Sequence, residues 1–181
     1  MRLKGMRIVY LIGPGFEDLE FYVPLMRLKE EGADVVVAGL KAGEELIGKG
    51  GLTGRAEVSV ADLKAEDFDA IVIPGGWAPD KLRRYDAVKK LVRDFYEQGK
   101  VVAMICHAGL VGISAGIVKG HEATGSEGIK DDLINAGAIW RDAPAFRSGN
   151  IVWGRVVADI PDFCRELVQA LIEQKEKTHK G

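Results

Sequence analysis

Gly99-Lys100-Val101-Val102-Ala103-Met104-Ile105-Cys106-His107-Ala108-Gly109-Leu110 is the stretch on which the fold turns. The unbroken apolar run before Cys106 reads as a short strand covered on both faces, and the small residues after it read as a helix entered through a sharp turn. Such a turn holds its central side chain outward at a helix N-terminus, where unpaired N–H groups and partial positive charge favour an anion. The Cys106 thiol is therefore expected to ionise more readily than a free one. Equally consistent with these residues is a small apolar side chain that closes a core strand.

Working outward, the same alternation recurs. Residues 6–12 form an apolar run stopped by Gly13-Pro14-Gly15, followed by a helix in which Leu19, Val23, Met26 and Leu28 recur near helical spacing and Gly32 serves as C-cap. Pro24 falls inside that helix, so a kink or a displaced first turn is expected. Residues 33–38 are a second β-branched strand. The glycine-rich segment 41–62 reads as a two-strand excursion from the main sheet. Residues 68–73 are a further core strand that ends at Pro74-Gly75-Gly76, and Val88, Leu91, Val92 and Phe95 space as a helix.

Downstream of the turn, residues 121–124 and 138–140 read as short strands and 129–137 as a Gly-capped helix. Phe146 to Trp153 reads as a hairpin around Ser148-Gly149-Asn150. A last helix runs from about Asp159 to Lys177, with a frayed, charged tail over 175–181. Alternating buried strands and helices predict an α/β three-layer sandwich with a mainly parallel sheet, in one domain over 1–181.

In such a sheet, ligands sit at the carboxyl ends of strands. Three features occupy strand ends here: Glu17, Gly75-Gly76 and Cys106. Two adjacent glycines let backbone N–H groups come close to a ligand, although a plain tight turn uses the same residues.

The chain has 181 residues, 47% hydrophobic and 29% charged, with a formal net charge of −2, and its basic residues are scattered among acids. No clustered basic surface is available to neutralise phosphates, so no nucleic-acid partner is expected. No apolar run approaches the roughly 18 residues that span a bilayer. Residues 1–5 lead straight into a strand, so a cytoplasmic protein with no membrane partner is expected. Cys106 and Cys164 stand too far apart in sequence for a metal-ligand pair, and His121 and His179 have no acidic or thiol partner at ligand spacing. Neither a metal nor a cofactor is expected. Cys164, beside Phe163, reads as core.

Phe16-Glu17-Asp18-x-Glu20, residues 27–32, Phe68-Asp69-Ala70, Pro74-Gly75-Gly76-x-Ala78-Pro79, Ile105-Cys106-His107, residues 113–116 and residues 128–137 follow one another in an order that resembles the PfpI family. These are intracellular cysteine peptidases and protein deglycases of the class I glutamine amidotransferase-like superfamily, and the resemblance spans nearly the whole chain. It implies a flavodoxin-like fold with a nucleophile elbow at Cys106, a carboxyl from Glu17 in reach of the sulfur, and a homo-oligomer, a dimer or a hexamer of dimers. It also implies that Asp80, where the family more often has Glu, completes a Cys-His-acid set across a subunit boundary. Ala108-Gly109 departs from the family's Gly-Pro, and Gly125-Ser126-Glu127 from its Ser-Tyr-Pro.

On that resemblance the expected activity is a Cys106-dependent hydrolase of stress defence. Its substrates would be small carbonyl compounds such as dicarbonyls (a glyoxalase-type reaction), glycated protein, or peptides. The thiolate adds to a carbonyl, and the N–H groups of His107 and of Gly75 or Gly76 receive the oxyanion. His107 is either the general base or a histidine packed beside the elbow, and Asp80 would orient it. A raised Glu17 pKa is expected, because a carboxylate beside a thiolate is a like-charge pair. An alternative of another class is a redox sensor or holdase chaperone that uses an oxidisable Cys106.

Overall fold

A computed structural model describes residues 1–180 of the chain, with side chains through residue 178. The apolar runs become a seven-stranded sheet. Its strands are β1 (Arg7–Leu11), β2 (Asp34–Gly39), β5 (Val58–Ser59), β6 (Ala70–Ile73), β7 (Val101–Ile105), β10 (Ala145–Ser148) and β11 (Ile151–Gly154), in the order β10-β11-β7-β6-β1-β2-β5. All neighbours pair in parallel except β10 with β11, the hairpin that turns at Gly149-Asn150. The middle strands β1, β6 and β7 are buried along nearly their whole length. This is the burial that a strand without polar alternation requires.

Helix α1 (Asp18–Glu30) packs against α6 (Ile160–Lys180), and α6 lies over β7, β10 and β11. The other helices are α2 (Ala78–Leu82), α3 (Asp86–Glu97), α4 (Gly109–Ala115) and α5 (Lys130–Asn135). Helix α3 covers β6 and β7 and packs on α4, which in turn meets α2 and α5. The layers are helix, parallel sheet, helix, the flavodoxin-like arrangement. Two small sheets stand apart: β3 (Glu45–Ile47) with β4 (Thr53–Arg55), antiparallel, and β8 (Glu122–Ala123) with β9 (Ile139–Trp140), parallel. The first is the glycine-rich excursion.

Two expectations change. Val88, Leu91, Val92 and Phe95 are the buried face of α3, but in α1 the spacing pointed to the wrong face. Leu19, Val23 and Met26 are 49%, 42% and 61% exposed, while Glu20, Phe21, Pro24, Leu25 and Leu28 face the core. At the C-terminus, α6 continues through Lys180, past the expected fraying at 175. Lys175 Nζ donates to the carbonyl oxygens of Arg2 and Lys4 and ties this turn to the N-terminal segment. Gly181 and the His179 side chain lie outside the described residues.

Candidate active site

The parallel sheet delivers β1, β6 and β7 to one edge with their carboxyl ends together, and the loops that leave them meet there. Cys106 is the first residue past β7. Its φ of 61° makes it the one non-glycine residue with a positive φ among the described residues. A non-glycine side chain in this region is strained, and such strain survives only where surrounding packing enforces it. Here β7 is buried on one side of the turn and α4 on the other.

The carboxyl beside this sulfur is Glu20, not Glu17. Glu17 is the N-cap of α1, and its Oε2 accepts the Glu20 N–H at 2.8 Å, so its side chain is spent on the helix end. Three residues further on, the helix has turned inward. Glu20 is fully buried, and its Oε1 accepts the Gly75 N–H at 2.9 Å. Its Oε2 is buried with no nitrogen or oxygen partner. The closeness of thiol and carboxyl is plain at Gly75, where a Cβ would lie 2.5 Å from Glu20 Oε1 and 3.0 Å from Cys106 Cβ. Only glycine fits between them.

Burial, followed by the Glu17 charge, pushes the Glu20 carboxyl up to about 7. Burial, followed by the charge and hydrogen bonding of Glu20, pushes the Cys106 thiol up to about 12. The easily ionised thiol expected from the turn alone is thus overturned: desolvation and a neighbouring carboxylate outweigh the His107 backbone N–H, which favours the thiolate. Cys164, buried on α6, is likewise held up at about 11 by burial.

His107 Nδ1 lies 3.4 Å from Cys106 Sγ, so the adjacent imidazole does reach the sulfur. Burial and then the Lys49 charge lower its pKa. A neutral imidazole can accept a proton at physiological pH. Asp80 does not join it within this chain: its exposed carboxylate pairs with Arg84 Nη2 at 2.6 Å. Asp80 and His107 do line one cavity of about 530 Å³, together with Lys49, Gly76, Trp77 and Arg83.

The expected oxyanion donors divide. The Gly75 N–H is consumed by Glu20 and is unavailable. The Gly76 N–H meets no acceptor among the described residues, because the bridge to Phe16 uses the Glu17 and Trp77 N–H groups instead. Gly76 has a φ of 84°, and a Cβ there would overlap the Gly15–Glu17 backbone. The donors on offer are therefore Gly76 and His107.

Outside the site, His121 bridges Tyr96 Oη at 2.6 Å and Ser148 Oγ at 2.9 Å. Trp153 is fully buried and Trp77 is 65% exposed at the cavity mouth. Among the described residues no group of three or more His, Cys, Asp or Glu side chains is placed to hold a metal ion, and no helix is long and apolar enough to cross a membrane.

Residues 6–170 match the family model described as the DJ-1/PfpI family. The chain belongs to the DJ-1/PfpI family. Among its relatives is the protein named Deglycase PfpI from Pyrococcus furiosus, 39% identical over 166 residues, which are 92% of this chain and 99% of that one. Another is the Bacillus subtilis protein named "Putative cysteine protease YraA", 40% identical over 165 residues, 91% of this chain and 98% of that one. Among solved structures, a two-domain protein with DJ-1/ThiJ/PfpI-like and ferritin-like domains from Anabaena variabilis superposes with a TM-score of 0.90 at 38% identity. The match covers 92% of this chain and 48% of that longer one.

Proposed function

We propose that this DJ-1/PfpI-family protein is a cysteine hydrolase in which Cys106 attacks the carbonyl of a reactive dicarbonyl, of its protein adduct, or of a peptide. The observation that carries the reading is half-buried Cys106 at φ 61°, held between a carboxyl that keeps its proton near neutrality and an imidazole 3.4 Å from the sulfur. The names of the deglycase and protease relatives support the same class of chemistry.

In the proposed step the S–H proton passes to His107 Nδ1 and Sγ bonds to the carbonyl carbon. The oxygen that takes up the C=O electron pair receives the Gly76 and His107 N–H groups. Glu20, protonated, faces the sulfur without repelling it, and His107 returns the proton to Sγ when the C–S bond later breaks. Asp80 would orient His107 only if a second subunit brought a carboxylate to the imidazole. A homo-oligomer, dimer or hexamer, is part of this reading, supported by the exposed Leu19, Val23 and Met26 on α1. A cytoplasmic role in stress defence goes with it.

Methylglyoxal consumption and fluorogenic-peptide cleavage, each measured for wild type and Cys106→Ala, test the reading. Loss of at least one activity in the variant is expected. Full retention of whichever activity the wild type shows would contradict it.

A further inference from the structure

Lys49 has no evident part in holding the fold together, yet the chain goes to some length to place it. It sits in the turn of the β3–β4 hairpin, Gly48-Lys49-Gly50-Gly51, and its N–H donates to the Phe16 carbonyl at 2.9 Å. Buried Asp18 clasps the same turn, Oδ1 accepting the Gly50 N–H at 2.9 Å and Oδ2 the Leu52 N–H at 3.0 Å. A Cβ on Gly48 would overlap that carboxylate, and one on Gly50 would come within 2.8 Å of it. The flanking residues have thus given up their side chains to let the turn close on Asp18, and Lys49 alone projects from it.

The side chain lies along the wall of the 530 Å³ cavity that includes Gly76 and His107. Its Nζ is 5.4 Å from the Trp77 ring centroid, a cation–π placement that steers the ammonium without neutralising it. Among the described residues no carboxylate lies within ion-pair distance of Lys49 or of Arg83, the other cation of the wall, whose Nε is held by Ser114 Oγ at 2.8 Å. Of the two acids in the wall, Asp80 is paired with Arg84, which leaves Asp132 on the α5 side. With Asp132 set against both Lys49 and Arg83, the mouth of the site next to the Gly76 and His107 N–H groups carries a net positive charge.

We propose that Lys49 is a specificity-determining residue that holds an anionic group of the substrate, so that the site prefers carbonyl compounds bearing a carboxylate or phosphate over neutral ones of the same size. The inference rests on the reading of Cys106 as the reacting thiol. The Lys49 charge also bears on Cys106, Glu20 and His107, lowering the pKa of each, which places it within electrostatic reach of the reacting atoms. Lysine supplies a mobile point charge rather than a fork, so carboxylate and phosphate are both accommodated.

The test compares two alkylating probes of nearly equal shape, anionic iodoacetate and neutral iodoacetamide. With either, the S–C bond forms, iodide leaves and the thiol proton goes to solvent. Rates at Cys106 are read by peptide mass mapping on the full chain. Removal of Lys49 changes the thiol's own acidity equally for both reagents, so the ratio of the two rates isolates recognition of the anion.

In Lys49→Met the iodoacetate-to-iodoacetamide ratio is expected to fall about tenfold, the size of one charge-assisted contact, and in Lys49→Arg to stay near the wild-type value. Glyoxylate, an anionic aldehyde, is expected to protect wild-type Cys106 from iodoacetamide better than methylglyoxal does, and to lose that advantage in Lys49→Met. An unchanged ratio in Lys49→Met, with Cys106 still alkylated, overturns the proposal and leaves the Cys106 reading standing. No alkylation of wild-type Cys106 by either probe overturns both.

Discussion

Tyr10 Oη is shared between two backbone carbonyl oxygens of α1, that of Phe21 at 2.7 Å and that of Glu20 at 3.0 Å. The reason lies at Pro24. A helical residue at that position would donate its N–H to the Glu20 carbonyl, and proline has none. Fully buried Tyr10 supplies the missing donor from β1, and α1 runs from Asp18 to Glu30 with the proline inside it. The same contact fixes the backbone of the residue whose carboxyl faces Cys106.

Tyr10→Phe is therefore expected to cost about 1–3 kcal/mol in urea unfolding, the penalty for leaving a buried carbonyl unpaired. Adding Pro24→Ala should recover part of that loss, because an alanine N–H reaches the Glu20 oxygen directly. A double variant no more stable than Tyr10→Phe would break the link between proline and tyrosine.

The strain at Cys106 is open to direct measurement. Left-handed backbone costs an L-residue on the order of 1–2 kcal/mol, and glycine escapes it. Cys106→Gly should thus unfold at higher urea than Cys106→Ala, by about 1 kcal/mol, with both variants inactive. Equal stability of the two would mean that the elbow relaxes in solution.

Glu20 sets a pH dependence of stability. Its carboxyl rises from 4.5 to about 7 on folding, so the folded state binds this proton more tightly than the unfolded chain does. The contribution is present in full below pH 4.5 and is lost as pH rises through about 7. Relative to Glu20→Gln, wild type should lose about 3 kcal/mol across that window. Urea titrations of both proteins at several pH values check this, and parallel curves would contradict the burial of an ionisable Glu20.

How much of this could be read in advance differs between fold and site. Strands such as 101–105 were legible because a run covered on both faces has no polar residues to obscure it. The apolar face of α1 was not, because Leu19, Val23 and Met26 mimic a buried stripe while the true face, 20, 21, 24, 25 and 28, includes a glutamate and a proline. Glu17 drew the functional role for being nearest the strand end. The signal pointing elsewhere was Glu17-x-x-Glu20, an N-cap and third-position pair of the capping-box kind, which commits the first carboxylate to the helix end. No local pattern could show that the Gly75 N–H is taken by a side chain 55 positions away, or that burial would outweigh the helix terminus at the thiol.

The coupling of Glu20 to Cys106 is most directly tested by the pH profile of Cys106 alkylation with iodoacetamide, wild type against Glu20→Gln. Above about pH 7 the pair holds one proton, and the reactive thiolate is the form in which that proton sits on the carboxyl, a share that does not change with pH. The wild-type rate should climb up to about 7 and then level off, well below the thiol's own value of about 12. In Glu20→Gln the break near 7 should vanish and the rate keep rising with pH. A wild-type rate that climbs straight through 7, or a break that survives in Glu20→Gln, would contradict the account.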